Sequence, residues 1–213
     1  SPTELITTNK IEKLGVSTVG EENEAEVKVD FANEPKDVKV EKTVINNTGN
    51  KVKNVAVTGR FATNDDEKEN NMEISVSKGI EVSGVDNASI YYTKNENVTT
   101  DLNNSDNGWT QEIEDGLQVK NYMVLVDEMD ESQTMFLTYS EKIPENLEYN
   151  QKALETYKVE YLSEESMTTK AVKGTDLKLL TGDGPNLNIE LNAEVGTDKL
   201  SDGDKVQQGE VIK

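Results

Sequence analysis

Apolar residues at every second position are the feature that most constrains this chain. Ala25, Val27, Val29 and Phe31 alternate with charged residues in one such run. A period of two places successive side chains on opposite faces of a pleated strand, so one face is buried and the other is solvated. The sequence therefore predicts a folded, mostly β protein. The alternation recurs in residues 55–61, 74–76, 80–82, 90–92, 117–119, 122–126, 135–139 and 157–161.

Short turn-forming segments separate these runs. Asn47-Thr48-Gly49-Asn50 supplies Asn and Gly, which tolerate positive φ, between two alternating runs. Short strands at such intervals favour antiparallel sheets packed face to face, so we expect an all-β, Ig-like sandwich. Residues 145–157 have helical spacing at Leu147, Gln151 and Leu154. A short helix near residues 145–157 and an extended loop are both compatible with that segment.

Composition excludes several classes of function. The 213 residues contain 22 Lys and Arg against 42 Asp and Glu, which gives a net charge of −20. Nucleic acids and anionic membranes need basic surfaces, so we expect neither partner. No apolar run approaches the roughly 20 residues that span a bilayer. Because the chain has no His and no Cys, no nucleophile–base constellation can be assembled, and we expect no enzyme and no catalytic residue.

A polar stretch over residues 163–176 suggests a domain boundary. We predict an Ig-like domain over residues 1–167, with residues 168–213 forming a linker and the start of a second, truncated β domain. About 40 residues are too few to bury an independent core. Residues 187–195 alternate clearly and predict a C-terminal strand. The alternative is that the strands of this tail complete the first sandwich.

Three segments resemble a known family. Residues 38–50, with their N-T-G turn, and Asn54-Val55-Ala56-Val57-Thr58 resemble the conserved-repeat, Ig-like domains of prokaryotic surface proteins. Residues 135–150 look like the closing part of such units in Gram-positive cell-wall proteins, and residues 201–212 are similar to the opening of a next repeat. The resemblance implies tandem extracellular β-sandwiches on a cell envelope. It implies no catalytic residue.

One polar loop has the spacing of a calcium site. Asp101, Asn103, Ser105 and Asn107 alternate, and Glu112 follows eleven positions after Asp101. Calcium takes oxygen ligands at this spacing, but the glycine that allows the sharp turn in such loops is replaced by Asp106. The alternative is a solvated Asn- and Asp-rich loop. Calcium is therefore the one cofactor that we consider.

Lys42 and Asn121 interrupt the apolar stripes. Lys42 is in phase with Val40 and Val44, and Asn121 is in phase with Val119. Some Gram-positive surface domains join a buried Lys to a buried Asn through an isopeptide bond, assisted by a nearby carboxylate. The resemblance therefore implies a crosslink between Lys42 and Asn121. The alternatives are a Lys that extends to solvent at the sheet margin and an Asn that satisfies backbone groups at a bulge.

These observations lead to one expected function and one alternative. We expect a non-catalytic structural or adhesion module on a bacterial cell surface, which acts as a rigid spacer between neighbouring repeats of the same chain. Its acidic exterior would keep copies soluble and apart. The alternative is a carbohydrate- or protein-binding adhesin that contacts a host or cell-wall ligand through its loops. The polar loop 95–107 and the lone Trp109 are the candidates for such contacts.

Overall fold

The computed structural model describes residues 5–13, 16–18, 24–26, 37–62, 71–116, 118–145 and 147–181. The chain divides into two compact units, Ser1–Gly182 and Asp183–Lys213. All described residues belong to the first unit. The predicted strand at residues 187–195 and the repeat-like segment 201–212 lie outside the described residues.

The described residues form an all-β architecture, as the alternation predicted. The strands are β1 Leu5–Lys13, β2 Val16–Thr18, β3 Glu24–Glu26, β4 Asp37–Asn46, β5 Val52–Arg60, β6 Ser75–Ser83, β7 Ser89–Thr93, β8 Asn121–Met129, β9 Thr134–Lys142, β10 Lys152–Glu155, β11 Tyr157–Ser163, β12 Thr168–Lys173 and β13 Leu177–Leu180.

These strands build two five-stranded sheets and one small sheet. The first has the order β2-β1-β4-β9-β6, and the second has the order β12-β11-β5-β8-β7. Both are antiparallel throughout. The small sheet has the order β10-β13-β3, in which β13 pairs with β3 in parallel. The sandwich expected from the sequence is therefore present, with a third sheet beside it.

The core consists of inward-facing residues from both large sheets. In β4 every second residue from Val38 to Asn46 is buried, which is the burial pattern that an alternating sequence dictates. Val55, Val57 and Phe61 follow the same rule in the chain around β5. Aromatic rings from different strands meet at the centre, where Phe61 packs between Tyr122 and Tyr139 with ring centroids 5.0 and 5.2 Å away.

The helix considered near residues 145–157 is not formed. Residues 152–155 are strand β10, in which Ala153 and Glu155 are buried and their neighbours are not. Leu147, Gln151 and Leu154 have helical spacing, but the alternating burial in β10 is that of a strand. In the described parts of the chain, the one helical segment is a single 3₁₀ turn at Ser105–Asn107.

The strands after residue 167 pair with strands before it. β12 pairs with β11, and β13 pairs with β10 and β3. Leu177 and Leu179 of β13 are buried in the same core. The sequence boundary was drawn after residue 167, whereas the first compact unit continues to Gly182. The described strands of the tail therefore pair with earlier strands, and the predicted division into domains stays a prediction.

Candidate functional site

Lys42 is a charged residue at the centre of the apolar core. It lies in β4 between Asn9 of β1 and Leu137 of β9, which are its cross-strand partners. Its side chain is 0% exposed. Because Val40 and Val44 are also buried, the period of two carries Lys42 inward with them, as the sequence predicted.

Asn9 presents its amide to this amine. Lys42 Nζ donates to Asn9 Oδ1 at 3.2 Å. The amide nitrogen of Asn9 donates to the carbonyl oxygens of Thr175, at 2.7 Å, and Asp176, at 3.4 Å. These two backbone acceptors lie between β12 and β13 and fix which end of the amide faces Lys42. The amide is thereby held with its carbonyl side toward the amine.

Glu155 supplies a carboxyl group on the other side of the amine. Its Oε1 lies 3.4 Å from Lys42 Nζ, and both side chains are fully buried. The hydroxyl of Tyr139 donates to the same oxygen. The short strand β10 positions Glu155, because Ala153 and Glu155 share its buried face. A buried charge is tolerated only when it is paired and hydrogen-bonded, and Lys42 and Glu155 meet that condition together.

A second carboxyl group, Glu141, is buried next to Glu155. It lies in β9 in phase with Leu137 and Tyr139, and its Oε2 accepts a hydrogen bond from the backbone N–H of Ala62 at 3.1 Å. Burial raises the pKa of Glu141 well above its usual range, and the neighbouring charge of Glu155 raises it further. Both effects favour the neutral, protonated form of Glu141.

Aromatic rings enclose this group of polar side chains. Lys42 Nζ lies 4.7 Å from the ring centroid of Tyr157 and 5.6 Å from that of Tyr139. Burial raises the pKa of Tyr157 to about 12, and it raises the pKa of Tyr122 well above its usual range. These hydroxyls therefore stay protonated. Although aromatic residues are scarce in the chain, the fold concentrates them around the amine and excludes water from it.

We call Lys42, Asn9, Glu155 and Glu141 the buried amine cluster. It brings a primary amine, a carboxamide and an acid within hydrogen-bonding distance in a dry environment. Those are the components of amide exchange, in which an amine displaces ammonia from a carboxamide while an acid moves the protons. All four side chains are buried, so the cluster offers no opening for an outside substrate.

Asn121 lies away from this cluster. It is at the start of β8 in the other large sheet, opposite Arg60 of β5. Its amide nitrogen donates to the carbonyl oxygens of Asn95 and Glu96 at 2.6 and 3.1 Å. Its side chain therefore binds the backbone of the loop after β7. This resembles the alternative considered from the sequence, an Asn that satisfies backbone groups. The partner that the structure gives Lys42 is Asn9.

One signal could have identified the missed residues. Asn9 is in phase with Leu5, Glu141 with Tyr139, and Glu155 with Ala153, each on a buried face. Each is a polar residue on an apolar stripe, as Lys42 is. The apolar alternation in β1 was hard to recognise because Thr7 and other polar residues interrupt it. The alternation in β10 was hard to recognise because Leu147, Gln151 and Leu154 have helical spacing.

The predicted calcium loop is held together by its own side chains. Asn107 is buried, and its side chain bonds to the backbone N–H and hydroxyl of Thr99 and to the carbonyl oxygen of Asp101. Asp101 Oδ1 accepts from the N–H of Asn103 at 2.9 Å. Across the described residues, no three Asp or Glu side chains are grouped so as to hold a metal ion. The calcium site, with Ser105 and Glu112 as further ligands, stays a prediction.

A polar groove runs beside this loop. It has a volume of about 610 Å³ and lies between residues 96–100 and the strands β5, β8, β11 and β12. Arg60, the single Arg of the chain, lines it and lies 3.5 Å from Glu96. Trp109 follows this loop in the sequence and is half-buried. Its indole N–H donates to the carbonyl oxygen of Thr99 at 2.9 Å.

The described part of the chain contains no helix with the length and apolar character needed to cross a membrane. No family model matches the chain, and no curated protein matches it either.

Several solved structures with a similar arrangement of strands come from bacterial pilins and adhesins, and another is the enzyme AvmM, which catalyses macrocyclization in alchivemycin A biosynthesis. The major pilin SpaD of Corynebacterium diphtheriae is 11% identical, with a TM-score of 0.45, and the match covers 83% of this chain and 34% of SpaD. A C-terminal fragment of the major pilin GBS80 of Streptococcus agalactiae is 14% identical, with a TM-score of 0.43 and coverage of 84% and 56%.

A collagen-binding domain from a Staphylococcus aureus adhesin is 10% identical, with a TM-score of 0.39, and the match covers 85% of this chain and 99% of that domain. This chain spans about a third of SpaD and just over half of the GBS80 fragment. Similarity at this level describes the layout of strands and carries no argument about function.

Proposed function

We propose that this chain is a non-catalytic structural module of a bacterial cell-surface protein, in which an isopeptide bond between Lys42 and Asn9 fixes the first long strand to the sandwich. One observation carries the proposal. A fully buried amine lies 3.2 Å from the oxygen of a buried carboxamide and 3.4 Å from a buried carboxyl group. A triad of this composition is suited to reaction because the fold holds the amine, the carboxamide and a proton acceptor together in a buried site.

The bond forms by displacement of ammonia. Glu155 takes a proton from the Lys42 ammonium, and the neutral Nζ attacks Cγ of Asn9. The new Nζ–Cγ bond replaces the Cγ–Nδ2 bond, and Nδ2 leaves as ammonia with its own two protons and one that came from Nζ. Glu155 keeps the remaining proton. The positions of the reacting groups, held by β1, β4 and β10, replace a bimolecular encounter by an intramolecular one.

The reaction happens once for each chain. Its product is an amide that stays in the core, and the cluster is closed to outside substrates because its side chains are buried. The chain is therefore its own substrate and turns over nothing else. This is the sense in which the module is non-catalytic.

The crosslink suits a spacer that carries load. Asn9 and Lys42 are direct partners in neighbouring antiparallel strands, and 33 positions separate them along the chain. A pull on the N-terminal end would otherwise strip β1 from β4 by breaking its hydrogen bonds. With the bond in place, the force passes from residue 9 to residue 42 through covalent bonds.

The remaining features fit an extracellular location among repeats of the same chain. A net charge of −20 keeps neighbouring copies apart and soluble. The chain has no Cys, so a covalent brace in it has to use another chemistry than a disulfide. An amide serves this purpose whatever the redox state outside the cell.

Intact mass measured under denaturing conditions tests the proposal. The wild-type chain should be lighter than its sequence mass by one ammonia. Asn9→Ala should have the full mass of its own sequence, because the electrophile is removed. Asn121→Ala is the matched control and should still lose ammonia. A wild-type chain at its full sequence mass would overturn the proposal. If Asn121→Ala also has the full mass of its own sequence, the bond needs Asn121, and the assignment to Asn9 is wrong.

The groove supports a second candidate function, the binding of a glycan or protein ligand. It is large enough for an extended chain of a few residues, and it lies beside the loop at residues 96–100 that the sequence singled out for contacts. The guanidinium of Arg60, which is paired with Glu96, contributes to the lining of the groove. Immobilised glycans and extracellular-matrix proteins should retain the wild type and release Arg60→Ala, with Lys39→Ala as the control. Equal retention of all three proteins would remove this candidate.

A further inference from the structure

The buried amine cluster contains one carboxyl group more than the crosslinking step uses. Lys42 carries one positive charge, whereas Glu155 and Glu141 would carry two negative charges if both ionised. All three side chains are 0% exposed. A net charge enclosed in an apolar core is strongly unfavourable. Neutrality of the cluster therefore requires one proton on the two carboxyl groups.

The hydrogen bonds leave one oxygen of each carboxyl group without a donor. Glu141 Oε2 accepts from the Ala62 N–H, and Glu155 Oε1 accepts from Tyr139 and lies against Lys42. Glu141 Oε1 and Glu155 Oε2 are also buried, and no N–H or O–H of the described residues donates to either atom. Both glutamates are buried in the same core, and the nearby charge of Glu155 raises the pKa of Glu141. One proton held between the two carboxyl groups would supply the donor that these two oxygens lack.

We propose that Glu141 and Glu155 share one proton, and that the neutral Glu141 is a positioning residue that keeps Glu155 oriented and able to take the proton of Lys42. The positioning role of Glu141 rests on the proposed crosslink, whereas the shared proton follows from the buried charges alone. When Glu141 donates to Glu155 Oε2, the other oxygen of Glu155 is left facing Lys42 and Tyr139. Two carboxyl groups that hold one proton between them also cancel the charge of the ammonium.

The same arrangement makes the crosslink sensitive to alkaline pH. The groups that face Glu141 are Glu155 from β10, Lys42 from β4, Tyr139 from its own strand β9, and Tyr122 from β8. If Glu141 loses its proton, a second negative charge lies beside Glu155 and stabilises the ammonium form of Lys42. The ammonium is not a nucleophile, so crosslinking slows as the pH rises through the raised pKa of Glu141.

The first experiment follows crosslinking in the full 213-residue chain, recovered in urea before it has folded and then refolded over a range of pH. Loss of ammonia is followed by intact mass. The wild-type rate should fall about tenfold per pH unit above the pKa of Glu141, since one proton is lost. In Glu141→Gln the amide can donate to Glu155 and accept from Ala62, so crosslinking should persist and this alkaline decline should disappear.

Two further variants separate positioning from proton transfer. Glu141→Leu removes the donor to Glu155 and should slow crosslinking by at least about a hundredfold, the usual size of a lost acid–base interaction. Glu155→Gln removes the proton acceptor and should abolish crosslinking at every pH. Two results would overturn the inference. Glu141→Gln could fail to crosslink, as Glu155→Gln does, or its crosslinking rate could fall at alkaline pH as the wild-type rate does.

The second experiment does not need the crosslink. In the Asn9→Ala background no bond can form, so unfolding is compared between Asn9→Ala and Asn9→Ala/Glu141→Gln as a function of pH. A Glu whose folded pKa is raised stabilises the fold fully at low pH, and this stability is lost as the pH rises from about 4.3, its unfolded pKa, through the folded value. The folding constant of Asn9→Ala should therefore fall about tenfold per pH unit relative to the double variant.

The two experiments fail in different ways. A wild type that never loses ammonia ends the proposed crosslink, yet the unfolding comparison still reports on the shared proton. Parallel pH profiles for Asn9→Ala and Asn9→Ala/Glu141→Gln would show that Glu141 ionises normally in the core and would refute the shared proton, whatever the mass shows.

Discussion

Replacement of Asn9 by Ala should change how the module unfolds under force. The substitution removes the carboxamide and leaves Lys42, Glu155 and the strand pairing of β1 with β4 in place. In the wild type, the proposed crosslink should withhold the segment between residues 9 and 42 from the pulling force. In Asn9→Ala that segment is released when the sandwich opens.

The size of the effect follows from the spacing of the two residues. They are 33 positions apart, and a fully extended chain spans at most about 3.3–3.6 Å per residue. After the few Å that the joined side chains span, the variant should gain about 100 Å of contour length. Closing a loop of this length also removes chain entropy from the unfolded state, which corresponds to about 4 kcal/mol of stability by the relation used for disulfides.

Single-molecule force spectroscopy on the module between two marker domains measures the first quantity. The difference in contour length between wild type and Asn9→Ala does not depend on the folded end-to-end distance, because that distance cancels. Asn121→Ala should match the wild type. Denaturant titration of the same three proteins measures the second quantity. Loss of the crosslink should cost Asn9→Ala about 4 kcal/mol, whereas Asn121→Ala should lose only its hydrogen bonds to the carbonyl oxygens of Asn95 and Glu96, about 1–3 kcal/mol.

One result would refute this reasoning directly. If wild type and Asn9→Ala release the same contour length, residues 9–42 are not bypassed by a covalent bond, even when the two proteins differ in stability. A difference in stability without a difference in length would mean that Asn9 contributes only hydrogen bonds, such as the one to the Thr175 carbonyl oxygen.

Two other substitutions test the fold. Asn46 is buried and its amide nitrogen donates to the carbonyl oxygens of residues 50, 129 and 130, so Asn46→Ala should lower the free energy of unfolding by about 3 kcal/mol. The control Asn47→Ala should change it by less than about 0.5 kcal/mol, and equal losses in denaturant titrations would contradict the assignment. A Cβ at Gly59 would overlap the Tyr122 hydroxyl, so Gly59→Ala should cost about 1–3 kcal/mol through overpacking. In Gly49→Ala the new methyl group meets open space at φ +85°, so only backbone strain of about 1 kcal/mol should appear in thermal melts, and a larger loss there than at Gly59 would refute the packing argument.

The overall class of fold could be predicted because burial in a sandwich imposes a strict period of two. β4 and β9 show this best, since nearly every buried position in them is apolar or belongs to the cluster. In β8 the four residues from Asn121 to Val124 are all buried. A strand covered on both faces loses its alternation, which explains the slip in phase that the sequence shows between Val119 and Tyr122.

The site was only half predictable for a physical reason. An inward Lys is visible in one strand, but its partner is chosen by which strand lies beside it, and strand order is a long-range property. β1 and β4 pair directly and bring Asn9 opposite Lys42, whereas Asn121 enters the other sheet. The two glutamates were indistinguishable by composition in a chain with 42 acidic residues. Their phase within β9 and β10 separates them from the rest.

The place of β10 and β13 in the fold has a consequence for timing. The small sheet closes only when Leu177–Leu180 inserts between β10 and β3, and the backbone acceptors of the Asn9 amide lie at residues 175 and 176, just before that insertion. A newly made chain emerges with its N-terminal end first. Lys42 and Asn9 are therefore made long before Glu155 and before residues 175 and 176, which orient the Asn9 amide. The proposed crosslink would therefore form only in a chain that has completed this unit, and a chain cut short before residue 175 should keep its full sequence mass.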